Sequence, residues 1–328
     1  MKGDAAGAPL LEIEGLDIAV PVGRGSAVAV RGLDLSVRRD ETVALVGESG
    51  SGKTLTALSI MGLLPGGLQV SAARYDFDGR GLLDGGERLM RTLRGDRIAM
   101  VFQEPMTALN PCMTVGAQIA EMLRAHRRVS RREARRRAVA LMERVGIAAA
   151  ARRADDHPHR FSGGMRQRVM IAMAIACEPD LLVADEPTTA LDVTVQAQIL
   201  ALLAELRAEL GMSLLMITHD FGLVAEVADR VAVLYGGDLA ESAPVARIFD
   251  APRHPYTRAL LAAVPRVDAR AAPVEPISGQ VPALVDMPAG CRFVTRCALR
   301  ESRCETDRPP LEGAPDAPGH LVRCWVTA

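Results

Sequence analysis

The chain predicts an α/β fold, a parallel β-sheet covered by helices, and three features carry that expectation. Thr42–Val46 is a continuous apolar run, and short, mainly apolar candidates for buried strands recur at Arg97–Phe102, Leu181–Ala184, Ser213–Ile217 and Arg230–Tyr235, as strands buried on both faces require. Stretches with helical periodicity separate several of them, Val195–Leu210 among these. The first run ends in glycines and leads straight into a helical pattern at Lys53–Gly62, the order strand, loop, helix.

Ahead of these, alternating apolar positions in Leu10–Val20 and Ala27–Val37 predict two half-buried antiparallel strands joined by the turn Gly23–Ser26. Between the strand near Phe102 and the one at Leu181, helical periodicity at Val115–His126, Arg131–Val145 and Gly164–Ala176 predicts a separate helical lobe over about 104–178. Beyond Leu239 prolines recur and four cysteines appear. A boundary is therefore expected near Glu241, dividing a principal domain over 1–240 from a loop-rich extension over 241–328. Self-similarity at a fixed period is missing, so the principal domain is expected once and not duplicated.

Gly47-Glu48-Ser49-Gly50-Ser51-Gly52-Lys53-Thr54 fits G-x-x-x-x-G-K-[ST]. In such a loop glycines let successive backbone N–H groups turn toward phosphates, and the helix N-terminus adds positive potential. Lys53 reaches the terminal phosphates and Thr54 can ligate Mg²⁺. The strand Leu181–Ala184 delivers Asp185 and Glu186 to its C-terminal end, where open α/β sheets bind ligands. Asp185 suits Mg²⁺ through its hydration shell, and Glu186 suits polarisation of the attacking water. A second Ser-Gly-Gly turn, Ser162-Gly163-Gly164, opens the helical stretch that follows; a simple helix cap is the alternative there.

On these motifs the chain resembles the ABC transporter ATPases, whose signature is a Ser-Gly-Gly sequence of this type. The resemblance implies a P-loop NTPase core with an antiparallel β subdomain and a helical lobe. It implies head-to-tail pairing with a second ATPase subunit, the signature of one closing over the ATP of the other. By the same resemblance Gln103 senses Mg²⁺ and water, Asp192 after Leu191 lies on the loop crossing the dimer interface, and His219 contacts the terminal phosphate. Two positions depart from the pattern. Met165 stands where many members have Gln, and no Phe, Tyr or Trp precedes the phosphate loop, so Val20 or Val22 is expected against the base in place of an aromatic.

The extension resembles that of oligopeptide and dipeptide importer ATPases at 254–261, Gly279-Gln280-Val281-Pro282, Met287-Pro288, Cys291, Arg296-Cys297 and Pro318-Gly319-His320. That implies two transmembrane permeases, an extracytoplasmic substrate-binding protein and a second ATPase, usually an unlike chain, as partners. Importers of nickel and some other solutes share part of this ancestry. Cys291, Cys297, Cys304 and Cys324 are separated by five, six and nineteen residues. Disulfides do not suit a reducing cytoplasm, whereas four thiolates suit a tetrahedral metal or an iron–sulfur cluster. Their spacing matches neither zinc pairs nor the ferredoxin run. The resemblance favours a [4Fe–4S] cluster, then Zn²⁺, then unligated thiols.

Formal net charge is -1 over 328 residues, so no global positive field gathers nucleic acid. The arginine-rich Arg124–Arg137 lacks aromatics and is expected as a solvated helix face. The longest apolar stretch, around Val169–Cys177, falls far short of the ~20 residues of a spanning helix. With a small, polar Met1–Pro9 expected as a loose tail, the chain is placed at the cytoplasmic face of the inner membrane, held there by its partners. Two rival classes stand against this: a soluble ABC ATPase of DNA repair or translation, and a metal-sensing module whose cysteine tail is the working part.

Overall fold

The computed structural model describes residues 8–23, 25–189, 191–263, 277–314 and 316–326. Residues 1–7 of the expected tail, Arg24 of the predicted turn and Ala190 lie outside the described residues. The chain divides into two compact units, one formed by residues 1–84 and 218–328, the other by 85–217.

The first unit opens with β1 (Leu11–Val22) and β2 (Gly25–Val37), paired antiparallel as the alternation predicts. Along β1 the buried positions pass from odd, Leu11 and Ile13, to even, Leu16 and Ile18. A register irregularity between Ile13 and Leu16 makes the change. Gly15 supplies the left-handed backbone there, at φ +64, and its N–H donates to Asp34 Oδ1 at 2.8 Å; the extra residue lets an apolar set cross the chain and still face one core. Next come β3 (Thr42–Val46), buried at every position, and helix α1 (Lys53–Ile60). Three strands absent from the sequence reading follow: β4 (Gln69–Ser71), β5 (Arg74–Phe77) and β6 (Arg80–Gly81). They complete an antiparallel sheet of order β2-β1-β5-β6, with β4 also on β1. Strands of two to four residues are too short to show a period of two.

The helical segment α2 (Leu82–Leu93), interrupted at Gly86, leads into the second unit. There β7 (Ile98–Val101) precedes α3 (Pro105–Ala108), α4 (Val115–His126), α5 (Arg131–Arg144), α6 (Ala150–Arg153) and α7 (Gly163–Ala174). After these come β8 (Leu181–Asp185), α8 (Val193–Leu210) and β9 (Ser213–Thr218). β8 lies between β7 and β9, parallel to both. The arginine-rich run is split by a break between α4 and α5, and Ser130 caps α5 by accepting from the Glu133 N–H. Glu133 accepts from Arg136 and Arg137, which pull its carboxyl down to about 2, while Arg135 forks onto Asp155 at 2.7 and 2.8 Å. These arginines are engaged by surface carboxylates on a solvated helix face.

Returning to the first unit, the chain forms α9 (Phe221–Val227), β10 (Arg230–Tyr235) and β11 (Asp238–Pro244). β10 runs parallel to β3 and antiparallel to β11. β11 escaped the sequence reading because buried charges interrupt its apolar pattern. Glu241 is fully buried, where its carboxylate accepts from the N–H groups of Arg253 and His254 and pairs with the His320 ring at 2.6 Å. Helices α10 (Val245–Asp250), α11 (Pro255–Ala262) and α12 (Arg303–Thr306) and strands β12 (Glu312–Gly313) and β13 (Leu321–Val322) complete a loop-rich extension. In this unit the strand order is β12-β13-β11-β10-β3. Among the described residues no helix is long and apolar enough to cross a membrane.

Candidate functional site

In the first unit, β3 ends at a loop whose shape depends on its glycines. A Cβ on Gly47 would lie 2.2 Å from the Leu234 carbonyl oxygen, so loop and β10 can approach this closely only through glycine. Gly50 and Gly52 take φ of +78 and +95. Lys53 is 6% exposed, and its ammonium donates to the carbonyls of Gly47 at 2.7 Å and Glu48 at 3.0 Å and reaches Ser51 Oγ at 3.4 Å. Helix α1 starts from Gly52 without a side-chain cap. A helix N-terminus of this kind favours an anion, and Ser49, Gly50 and Thr54 are exposed on the loop. A positive, backbone-lined cradle of this kind fits phosphate and its magnesium ion. His219 stands exposed one residue after β9, followed by Asp220, whose carboxylate caps α9.

In the second unit, the registers of β7, β8 and β9 assemble the acidic end. Val101 lies opposite Ala184 and Asp185 opposite Ile217. Two residues past the first pair, Gln103 Nε2 donates to Glu186 Oε2 at 3.0 Å, and Thr189 Oγ1 donates to the same oxygen at 2.8 Å. Asp185 is 2% exposed. Glu186 holds a left-handed backbone, φ +45, while its N–H donates to Ile217 O at 2.9 Å. For a residue with a Cβ that conformation costs about 1–2 kcal/mol, and here it turns the carboxylate off the strand end toward Gln103 and Thr189. Thr189 as a partner of Glu186 was missed at the sequence level; a hydroxyl three residues after the carboxylate was the available signal.

The Ser-Gly-Gly turn opens α7 as foreseen. Ser162 Oγ accepts from the Met165 N–H at 3.4 Å, and a Cβ on Gly164 would meet Val195 Cγ1 at 2.6 Å. Val195 also donates its N–H to Asp192 Oδ1 at 3.0 Å, which caps α8. One close contact therefore sets the turn beside the start of the Asp192 helix, with Ser162, Gly163 and Asp192 exposed and Val193 bare at 81%. Val20 and Val22 sit at the far end of β1, Val22 exposed.

The ABC transporter family model matches residues 30–189, and the model for the oligopeptide/dipeptide transporter C-terminal region matches 240–304. The dipeptide transport ATP-binding protein DppD of Bacillus subtilis (strain 168) is 46% identical over 318 residues, 97% of this chain and 94% of that one. The oligopeptide transport ATP-binding protein AppD of the same organism is 47% identical over 299 residues, 91% of this chain and 90% of its own length. The chain belongs to the oligopeptide/dipeptide-importer branch of the ABC transporter ATPases. Among solved structures, a dimeric ATP-binding cassette in a post-hydrolysis state bound to ADP and Pi superposes with a TM-score of 0.64 at 27% identity, over 72% of this chain and 98% of that one.

In this ATPase the four tail cysteines, all free, line one small cavity together with His254, Phe293 and Trp325. Burial pushes the Cys291 thiol up to about 12 and raises Cys297 and Cys324 as well. Apolar surroundings thus keep these thiols protonated until something cationic replaces the protons. Among the described residues, no group of three or more His, Cys, Asp or Glu is arranged to hold a metal ion. Four cysteines as a donor set suit a sulfur-ligated group.

Proposed function

We propose that this ATPase powers uptake of di- and oligopeptides through two permease subunits, at the cytoplasmic face of the inner membrane. The observation that carries the reading is the match of the extension to the peptide-transporter C-terminal region joined to a complete set of ATPase motifs. In this proposal residues 1–240 are the ATPase domain, with its helical lobe over 104–178, and 241–328 the importer-type extension. A second ATPase subunit, a different chain, faces this one, and an extracytoplasmic binding protein delivers the peptide.

Each residue's task follows from its chemistry. The loop Gly47–Thr54 holds the phosphates through its amides from Ser49 onward and the Lys53 ammonium, and Thr54 and Gln103 are the residues that would hold a magnesium ion. The buried Asp185 would hold that ion through its hydration shell. When bound there, magnesium would supply positive charge against the phosphates. Glu186, aimed by Gln103 and Thr189, takes a proton from the attacking water, and His219 contacts the terminal phosphate. Ser162, Gly163, Gly164 and Asp192 serve the nucleotide held by the facing subunit. The aliphatic Val20 or Val22 replaces an aromatic at the base, which loosens nucleotide selection.

For the cysteines, a [4Fe–4S] cluster held by Cys291, Cys297, Cys304 and Cys324 is favoured over Zn²⁺. Four thiolates suit either group, and the resemblance of the extension to that of peptide-importer ATPases supports the cluster. It would staple the loop-rich tail. Iron and acid-labile sulfide in anaerobically purified protein are the expected finding; zinc without iron would reverse the assignment.

The function is tested by reconstituting the chain with its permeases in vesicles. Stimulation of ATP hydrolysis by the permeases and accumulation of labelled peptide are expected. Nickel uptake without peptide uptake, or stimulation by DNA or ribosomes in place of permeases, would refute the reading.

A further inference from the structure

The phosphate loop is gripped from outside its own motif. Glu48, its second residue, is held at both ends by the C-terminal segment. Its carboxylate takes a two-pronged ion pair from Arg296, Nη1 to Oε2 at 2.6 Å and Nη2 to Oε1 at 3.1 Å. Its backbone N–H donates to the Tyr256 hydroxyl at 2.9 Å. That amide is therefore committed to the tail, which leaves the later amides of the loop for phosphate.

Neither partner is a loose surface contact. The Arg296 side chain is 4% exposed and that of Glu48 29%. The guanidinium also donates from Nε to Ser278 O at 3.0 Å and lies 5.6 Å from the centre of the Tyr235 ring. Tyr256 is fully buried, edge-on to Tyr235 at 4.7 Å and tilted on Phe293 at 5.3 Å. A planar guanidinium fixed on several sides holds a carboxylate in one orientation, which a lysine cannot do. Charge adds a second consequence. A carboxylate in a phosphate-binding loop repels a triphosphate unless a cation neutralises it, and Arg296 is that cation.

We propose that Arg296 and Tyr256 are positioning residues of the ATP site: they hold Glu48 and neutralise its carboxylate, so that the C-terminal segment sets the affinity of the phosphate loop for ATP. This rests on the ATPase reading above and extends the site to residues far along the chain.

The test uses the full-length chain, with MgATP affinity measured at equilibrium and KM and kcat measured in the assembled transporter. Arg296→Gln should weaken MgATP binding roughly tenfold, the scale of one unneutralised carboxylate repelling the phosphates across a largely solvent-screened loop, and raise KM while kcat stays within about twofold. Glu48→Gln should bind within about threefold of wild type, because it removes the repulsive charge. The double variant Arg296→Gln with Glu48→Gln should recover most of the lost affinity, and Arg296→Lys part of it. Tyr256→Phe should weaken binding about threefold. Wild-type affinity in Arg296→Gln would overturn the inference, as would a double variant as weak as Arg296→Gln, which would mark a folding defect of the tail. Failure of the unaltered chain to bind MgATP would instead bring down the ATPase reading, and this inference with it.

Discussion

Substituting Glu186 by glutamine separates chemistry from structure at the acidic strand end. Glutamine keeps the shape and the left-handed backbone but removes the charge and the basicity. Two hydrogen bonds are affected, from Gln103 Nε2 at 3.0 Å and from Thr189 Oγ1 at 2.8 Å. Bonds to a charged acceptor contribute about 1.5–3 kcal/mol and neutral ones about 0.5–1.5, so over the two bonds stability should fall by about 2–3 kcal/mol. Loss of a general base costs roughly 10²–10⁴ in rate, which is about 3–5 kcal/mol of barrier. Hydrolysis should thus collapse while the chain stays folded, binds ATP and accumulates in the closed dimer. A companion variant, Glu186→Gly, also lacks the base but relieves the strain of φ +45. That relief, about 1–2 kcal/mol, offsets only part of the loss of two charge-assisted bonds, about 3–6 kcal/mol, so its unfolding midpoint should lie below wild type with hydrolysis equally low. The assay is single-turnover ATP hydrolysis by the assembled transporter, beside equilibrium ATP binding and chemical denaturation. A Gln variant within tenfold of the wild-type rate, or one losing ATP binding and hydrolysis together, would refute the role given to this carboxylate.

Gly47→Ala drives a methyl to 2.2 Å from the Leu234 carbonyl oxygen. Backbone on both sides cannot yield, so MgATP affinity should drop more than tenfold, at about 1–3 kcal/mol of overpacking, as measured by nucleotide titration. Ser162→Ala removes the cap of α7 and about 1 kcal/mol of stability; ATP binding by the isolated chain should survive while hydrolysis in the assembled transporter falls at least tenfold. His254 is neutral in the folded chain: burial lowers it to about 4, against the opposing pull of Glu241, and its Nδ1 accepts from the Tyr256 N–H at 3.0 Å. Since the unfolded chain binds a proton near pH 6.5 and the folded chain only near 4, this contribution is complete above about 6.5. It is lost as pH falls toward 4, by up to about 3 kcal/mol. Denaturation at pH 7.5, 6 and 5 should show the decline, and a His254→Gln chain should show a shallower one.

Residues that work as neighbours in the chain were legible without coordinates. The phosphate loop needs glycines, a lysine and a hydroxyl in one short run between a buried strand and a helix, and Thr42–Val46 and Lys53–Ile60 form as that pattern requires. The acidic pair at the end of Leu181–Asp185 and the Ser162 cap were readable for the same reason. The short strands from Gln69 to Gly81 and the charge-interrupted β11 were not, since neither shows the alternation or apolar run that marks a strand.

Tertiary structure alone decided which distant side chains meet. Gln103 reaches Glu186 across 83 positions because β7 and β8 pair in one register. Arg296 reaches Glu48 across 248 positions because the tail folds back over Tyr235 and Tyr256. Four cysteines spread from 291 to 324 come to one cavity by the same folding. Local pattern encodes periodicity and backbone permission, which are properties of consecutive residues. Register and close packing emerge only when whole elements bury their faces together, so the partners of Glu48 and Glu186 appear only in the folded chain.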